Sequence, residues 1–280
     1  MTPGDPPPPS RLRPLGFADL LDRSFRIYRR HFLLLFGLAL LVSIPALVPE
    51  LLGGSFTQVG AILASPTTPP TDLHTPFWPT LARIVLLVVM VPFSVGVIAA
   101  ASLPSAMGEA EAPPLVSIVG TILRRYLALL GLVGLTVLIA LSLVCMPLGI
   151  WLLVRISLAV PALLAERVGP IRAIRRSWQL THVAWWRCFG VIVVVAIVAD
   201  VLAGVLGFAA GISVQFLPLL PSALTGLILV LTVTLISVVT VPLLWVGLVV
   251  LYVDARVRKD SLDMDLLAAA ALAPSSEGAA

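Results

Sequence analysis

Few side chains in this sequence could do chemistry, and most of them stand alone. Arg155 and Asp200 are single charges inside otherwise apolar runs, where an unpaired charge costs about 3 kcal/mol even on the mildest scale. At ~1.5 Å per residue, Arg155 falls about 12 Å below the outer end of its run and Asp200 about 18 Å above the inner end of its own. That is a similar depth in a ~30 Å hydrocarbon core. Opposite charges at matching depth predict an ion pair between adjacent spans that locks their packing, with a gating or proton-coupled role as the sharper alternative. Asp200 also shares a helical face with Ala196, Ala203, Gly207 and Gly211, a small-residue spacing that permits close helix approach.

The remaining candidates are weaker. Arg172, Arg175, Arg176 and Arg187, interleaved with Trp178, Trp185 and Trp186, have the chemistry to hold lipid phosphates; general anchoring at a membrane surface is the plainer use. Glu166 ends an apolar run beside Arg167 and has no second carboxylate near it in sequence, so an interfacial ion pair or polar helix end is expected rather than a catalytic acid. His31, His74 and His182 are too scattered for a metal set. No metalloprotease, nucleophile-elbow, phosphate-loop or dinucleotide motif occurs. Neither an enzyme nor a bound cofactor is expected.

What must position these residues is a membrane bundle. Of 280 residues 59% are hydrophobic and only 11% charged, too little polar surface for a soluble domain of that length. The net charge of +4 sits beside apolar spans, so it reads as membrane topology and attraction to anionic lipid, not as a nucleic-acid surface. Membrane lipids, and another membrane or envelope protein, are the expected partners. The two cysteines, Cys145 and Cys188, fall near opposite faces of the bilayer in this reading, too far apart for a disulfide.

The first residues, MTPGDPPPPSRLRP, lack the apolar core of a signal peptide and read as a disordered proline-rich tail over 1–15. From Phe17 to Phe32, Phe17, Leu21, Phe25, Tyr28 and Phe32 fall on one stripe, with the arginines largely off it, which predicts an amphipathic interfacial helix. It leads into a first span, about Phe32 to Val48, which Pro45 and Pro49 are expected to kink or end. After a polar loop, Phe77 and Trp78 anchor a second span, Leu81 to Leu103. A second interfacial helix is expected over Leu115 to Tyr126.

The apolar stretch from Leu127 to Ala165 would reach about 60 Å as one helix, twice the bilayer core, so it reads as two spans with a tight turn near Cys145 to Gly149; a single kinked helix is the alternative. Gly169-Pro170 opens a third interfacial helix. The fifth span runs from about Cys188 to Ala210 and the sixth from Leu224 to Tyr252, bent at Pro242. The expected organisation is all-α: a membrane domain over 16–254, with six transmembrane helices as three hairpins, each preceded by a cytoplasmic interfacial helix. A cytoplasmic tail follows over 255–280. Of the 18 Lys and Arg, 16 fall in segments this scheme puts on one side, and the other two are Arg83 and Arg155. That bias predicts both termini in the cytoplasm.

The three units share a pattern. Arg23 to Gly37 (RSFRIYRRHFLLLFG) aligns without a gap on Arg176 to Gly190 (RSWQLTHVAWWRCFG), and Arg124 to Gly131 (RRYLALLG) fits the end of both, as expected of internal repeats in parallel orientation. Three stretches carry a family resemblance: RPLGFADLLDRSFRIYRRHF from Arg13, AVPALLAERVGPIRAIRRSWQLT from Ala159 and LYVDARVRKDSLDMDLL from Leu251. They resemble the bacterial glycerophosphoryl diester phosphodiesterase membrane-domain family. The resemblance implies a multi-pass region of the bacterial cytoplasmic membrane. The chain ends shortly after the last span, which leaves no room for a phosphodiesterase barrel, and that enzyme's His, Glu and Asp constellation is not visible. Its activity is therefore not expected here. A non-enzymatic scaffold or subunit is the first expectation, and a small transporter or lipid-handling protein the second.

Overall fold

The structure, a computed structural model, describes residues 15–53, 77–108, 114–141, 146–182, 184–215 and 221–260. Residues 1–14 and 261–280 of the predicted tails, the loop with His74, and Cys145 lie outside the described residues; the rest of the expected turn, 146–149, is helical. Those described are organised as helices: α1 Phe17–Arg30, α2 Phe32–Gly53, α3 Phe77–Met107, α4 Leu115–Leu141, α5 Met146–Ile156, α6 Ala159–Ala165, α7 Pro170–His182, α8 Trp185–Gln215 and α9 Ser222–Asp260. Five stretches are long and apolar enough to cross a membrane, and a sixth is added if α1 and α2, bent by 73° at their junction, are taken together. This is the helical membrane bundle expected from the apolar runs.

Within a bilayer, apolar burial drives packing little, and close approach with satisfied polar groups matters more. Two glycines permit such approach. A Cβ at Gly247 of α9 would lie 2.7 Å from Val195 Cγ1 on α8, and one at Gly96 of α3 would lie 2.8 Å from Leu129 Cδ1 on α4. The small-residue stripe predicted on α8 does not serve this purpose. Added Cβ atoms at Gly207 and Gly211 would meet nothing within 4 Å, and Asp200 on that face is exposed.

Prolines set the shape of the spans. Pro92 in α3 and Pro242 in α9 lie inside helices, where each lacks the N–H for the carbonyl four residues earlier and opens the ladder. In both cases a tyrosine bonds the carbonyl next to the one the proline leaves open. Tyr126 Oη donates to the Val89 carbonyl (2.9 Å) and Tyr28 Oη to the Val239 carbonyl (2.6 Å), each three residues before a proline. Removing either hydroxyl, as Tyr28→Phe or Tyr126→Phe, is expected to cost about 1 kcal/mol. A lower thermal midpoint in detergent micelles would register it.

Four expectations about element bounds need correction. The second interfacial segment, Leu115 to Tyr126, is not a separate helix: it continues into α4 without a break, and Ile118 and Ile122 are buried against the bundle. The stretch 127–165 is divided between α4 and α5 as expected, but it breaks again at Ser157-Leu158. There Pro161, in the first turn of α6, has no N–H for the Ser157 carbonyl. α2 runs through Pro45 and Pro49 to Gly53. α9 continues past Tyr252 to Asp260 with Asp254, Ala255 and Val257 buried, so the start of the expected tail belongs to the bundle.

α1 and α7 are the interfacial helices expected, each with a polar and an apolar face, but both are pinned inward. α1 buries Leu20, Ser24, Ile27 and Tyr28, and its Arg23 Nη2 donates to the Ala106 carbonyl at the end of α3 (2.8 Å). At the α1–α2 junction His31 Nε2 lies 2.9 Å from Ser105 Oγ. Burial, helped by the charge of Arg30, holds the His31 imidazole below its ordinary pKa, so it is neutral at pH 7.

Candidate functional site

Polar side chains gather where α1, α7 and the ends of α3, α6, α8 and α9 meet, on the side carrying the arginines. The centre is Asp254, 2% exposed. Its Oδ1 accepts from the Leu15 backbone N–H (2.8 Å). Its Oδ2 accepts from Arg187 Nη2 and from Arg258 Nε, both at 3.0 Å. The two guanidiniums also converge on the Leu15 carbonyl, each through Nη2 at 2.6 Å. One buried carboxylate thus ties the segment just before α1 to α8 and to its own helix. A buried charge is tolerable only with such partners.

A second carboxylate does the same for α7. Glu166, at the end of α6, accepts from Arg176 Nε (2.8 Å) and from Tyr252 Oη (3.1 Å) through Oε1. The carbonyls at the end of α6 have no partner in their own helix and are met by Arg125 of α4. Its Nη1 donates to Leu163 O (3.2 Å) and Val168 O (3.1 Å), and its Nη2 to Arg167 O (2.8 Å). Arg167 itself sits at φ 53°, a left-handed turn that aims its carbonyl at Arg125. Lys259 Nζ closes the layer on the Gln179 carbonyl (3.0 Å).

Arg155 belongs to this layer and not to a mid-membrane pair. Its Cζ lies 5.0 Å from the Trp151 ring and 5.2 Å from the Trp178 ring, with the two indoles at 88° to each other. Arg155 Nη1 donates to the Trp178 carbonyl (3.3 Å) and Ser177 Oγ donates to the Arg155 carbonyl (2.6 Å), so α5 and α7 are bonded reciprocally. Cation–π attraction supplements these bonds by about 2 kcal/mol when desolvated. Arg155 Nε is buried without a partner.

The expected ion pair with Asp200 is therefore corrected: among the described residues no salt bridge joins them, and Asp200 is exposed on α8. Arg155→Asp is expected to lower the folded yield, and adding Asp200→Arg is expected to give no rescue. Recovery of the yield in the double variant would show a pair after all.

The lipid-headgroup candidates divide. Arg176, Arg187 and Trp178 are turned into the layer just described, whereas Arg172 and Arg175 are exposed on the outer face of α7. Ile171 on the same helix is 75% exposed, and Trp186 at the start of α8 is 78% exposed. Sequence reasoning missed Asp254, Arg258, Tyr252 and Arg125. Their nearest signal was the charge of Asp254 directly after an apolar span, where an unpaired acid is unfavourable.

Two cavities lie along α8 and α9. One, of about 460 Å³, is lined by Arg187, Cys188, Asp254, Arg258 and Lys259 among others. The other, of about 470 Å³, is walled by apolar side chains that include Phe189, Ile192, Trp245 and Leu248. Cys188 is a free thiol and buried. Among the described residues no group of His, Cys, Asp and Glu could hold a metal ion. Comparison with known proteins finds no matching family, curated protein or solved structure.

Proposed function

We propose that this multi-pass protein is a non-enzymatic scaffold or subunit of the bacterial cytoplasmic membrane, with both termini in the cytoplasm and a basic surface offered there to another membrane or envelope protein. The observation that carries this reading is the division of labour on α7. Arg176 is spent on Glu166 and holds the helix down, while Arg172 and Arg175 remain exposed on it. A helix pinned on one side, with outward cations and an exposed Ile171 on the other, is a surface of the kind used in recognition, where Arg is enriched. The resemblance of three stretches to a family of membrane regions supports the same reading.

Mass spectrometry of the protein extracted in native lipid discs tests it. One protein retained in stoichiometric amount is expected, and Arg172→Glu with Arg175→Glu is expected to release it. Discs that hold the chain with lipid alone would overturn the reading.

A small transporter or lipid-handling protein is the second reading, favoured by the two cavities. The hydroxyls of α9 count against a polar pathway. Thr232, Thr234, Ser237 and Thr240 each donate to the carbonyl four residues earlier, which satisfies them within their own helix.

A further inference from the structure

We infer that the polar cavity between the end of α7, the start of α8 and the end of α9 binds the phosphate headgroup of an anionic phospholipid. Arg187, Arg258 and Lys259 line it, with Asp254 as the one acidic lining residue. Three cations against one anion give the wall a charge of +2, which complements a phosphate. Asp254 does not exhaust the arginines. Arg187 Nε is buried with no hydrogen-bond partner, and Arg187 and Arg258 meet Asp254 and Leu15 through Nη2 and, for Arg258, Nε. The bonds to Asp254 and Leu15 leave the Nη1 groups of both arginines and the Lys259 ammonium as further donors of the lining residues, the kind of group a phosphate oxygen satisfies.

The ligand's second half follows from what lies one helical turn away. Cys188 lines the polar cavity and Ile192 the apolar one; Leu251 lines the polar cavity and Leu248 the apolar one. The two spaces are therefore stacked along the same pair of helices, with the cationic one at the arginine-bearing end. A headgroup beside the cations leaves its acyl chains at the depth of the apolar walls. This deepens the lipid-handling reading and is independent of the scaffold reading. The test below reads binding and not transport, so failure of the site and failure of a transport assay are separate results.

The test is a lipid titration of the purified full chain in detergent, read by native mass spectrometry, with phosphatidylglycerol against phosphatidylcholine. One phosphatidylglycerol is expected to be retained at concentrations where phosphatidylcholine is not. Lys259→Gln removes an exposed cation of the wall and is expected to weaken retention about fivefold. Ala184→Leu fills the cavity with no change of charge and is expected to weaken it about tenfold. Arg172→Gln with Arg175→Gln removes two cations from the outer face of α7 and is expected to change retention less than twofold.

Equal retention of the two lipids, or a larger loss from the α7 pair than from Lys259→Gln, would overturn the site in favour of general surface attraction. Displacement of the lipid by millimolar inorganic phosphate would overturn the lipid assignment and leave a phosphate site. Thermal unfolding of each variant accompanies the titration. If Ala184→Leu fails to fold, Lys259→Gln and the α7 pair alone decide the outcome.

Discussion

Asp254→Ala is expected to be the most damaging single substitution at the basic end of the bundle. It removes the acceptor of three donors at once and leaves the Leu15 N–H and the Arg187 and Arg258 guanidiniums without the carboxylate they share. Breaking a buried pair costs about 3–5 kcal/mol because the remaining charge is uncompensated. The side chains of Arg187 and Arg258 are 28% and 37% exposed, against 1% for Asp254, so both can turn partly to water and the lower figure applies. A loss of about 3 kcal/mol corresponds to a fall of roughly 6–12 °C in thermal midpoint for a chain of this size. Adding Arg187→Leu to Asp254→Leu is expected to recover part of the loss, since the stranded charge is removed with its partner. A fall under about 2 °C for Asp254→Ala would mean that the clasp contributes little.

Gly247→Val is expected to have the second largest effect, for a steric reason. The added Cβ would fall 2.7 Å from Cγ1 and 3.1 Å from Cγ2 of Val195, a stiff β-branched side chain that cannot swing away. Overpacking of this kind costs about 1–3 kcal/mol, more than the roughly 1 kcal/mol or less a helix gains by losing a glycine. Gly96→Val is expected to be milder. Its nearest neighbours are the terminal Cδ1 atoms of Leu129 and Ile122, which have rotamers to move into. Val195→Ala is expected to restore the midpoint of Gly247→Val and to do nothing for Gly96→Val. Equal damage at the two glycines would contradict this account of the packing.

Periodicity carried much of the fold. α1 and α7 show in the sequence because arginines and apolar residues alternate at helical spacing, and α8 and α9 because their apolar runs fit the bilayer. α4 was harder: Arg124 and Arg125 looked like the end of an interfacial helix, yet Arg125 reaches sideways to carbonyls at and just beyond the end of α6, and α4 runs through both arginines unbroken. The break at Ser157 was written in Pro161 but lay within an apolar run already divided once.

The site was less legible, because its contacts are distant in sequence. Leu15 and Asp254 are 239 positions apart, and no local pattern encodes such a contact. Arg155 and Asp200 were matched by depth alone, which ignores the direction each helix gives its side chain. Arg155 in fact points between two indoles toward α7.

The bonds between Leu15 and α9, where Asp254 accepts and Arg258 donates, have a consequence for biogenesis. Leu15 and Arg258, which donates to its carbonyl, are 243 positions apart, so the segment before α1 leaves the ribosome long before its docking partner exists. At about 5–20 residues per second, roughly 12–50 s pass between the two. Through that interval α1 has no α9 to pack on, and Tyr28 has no Val239 carbonyl to meet. α9 is synthesised well after α1, yet it is α9 that fastens α1 in place.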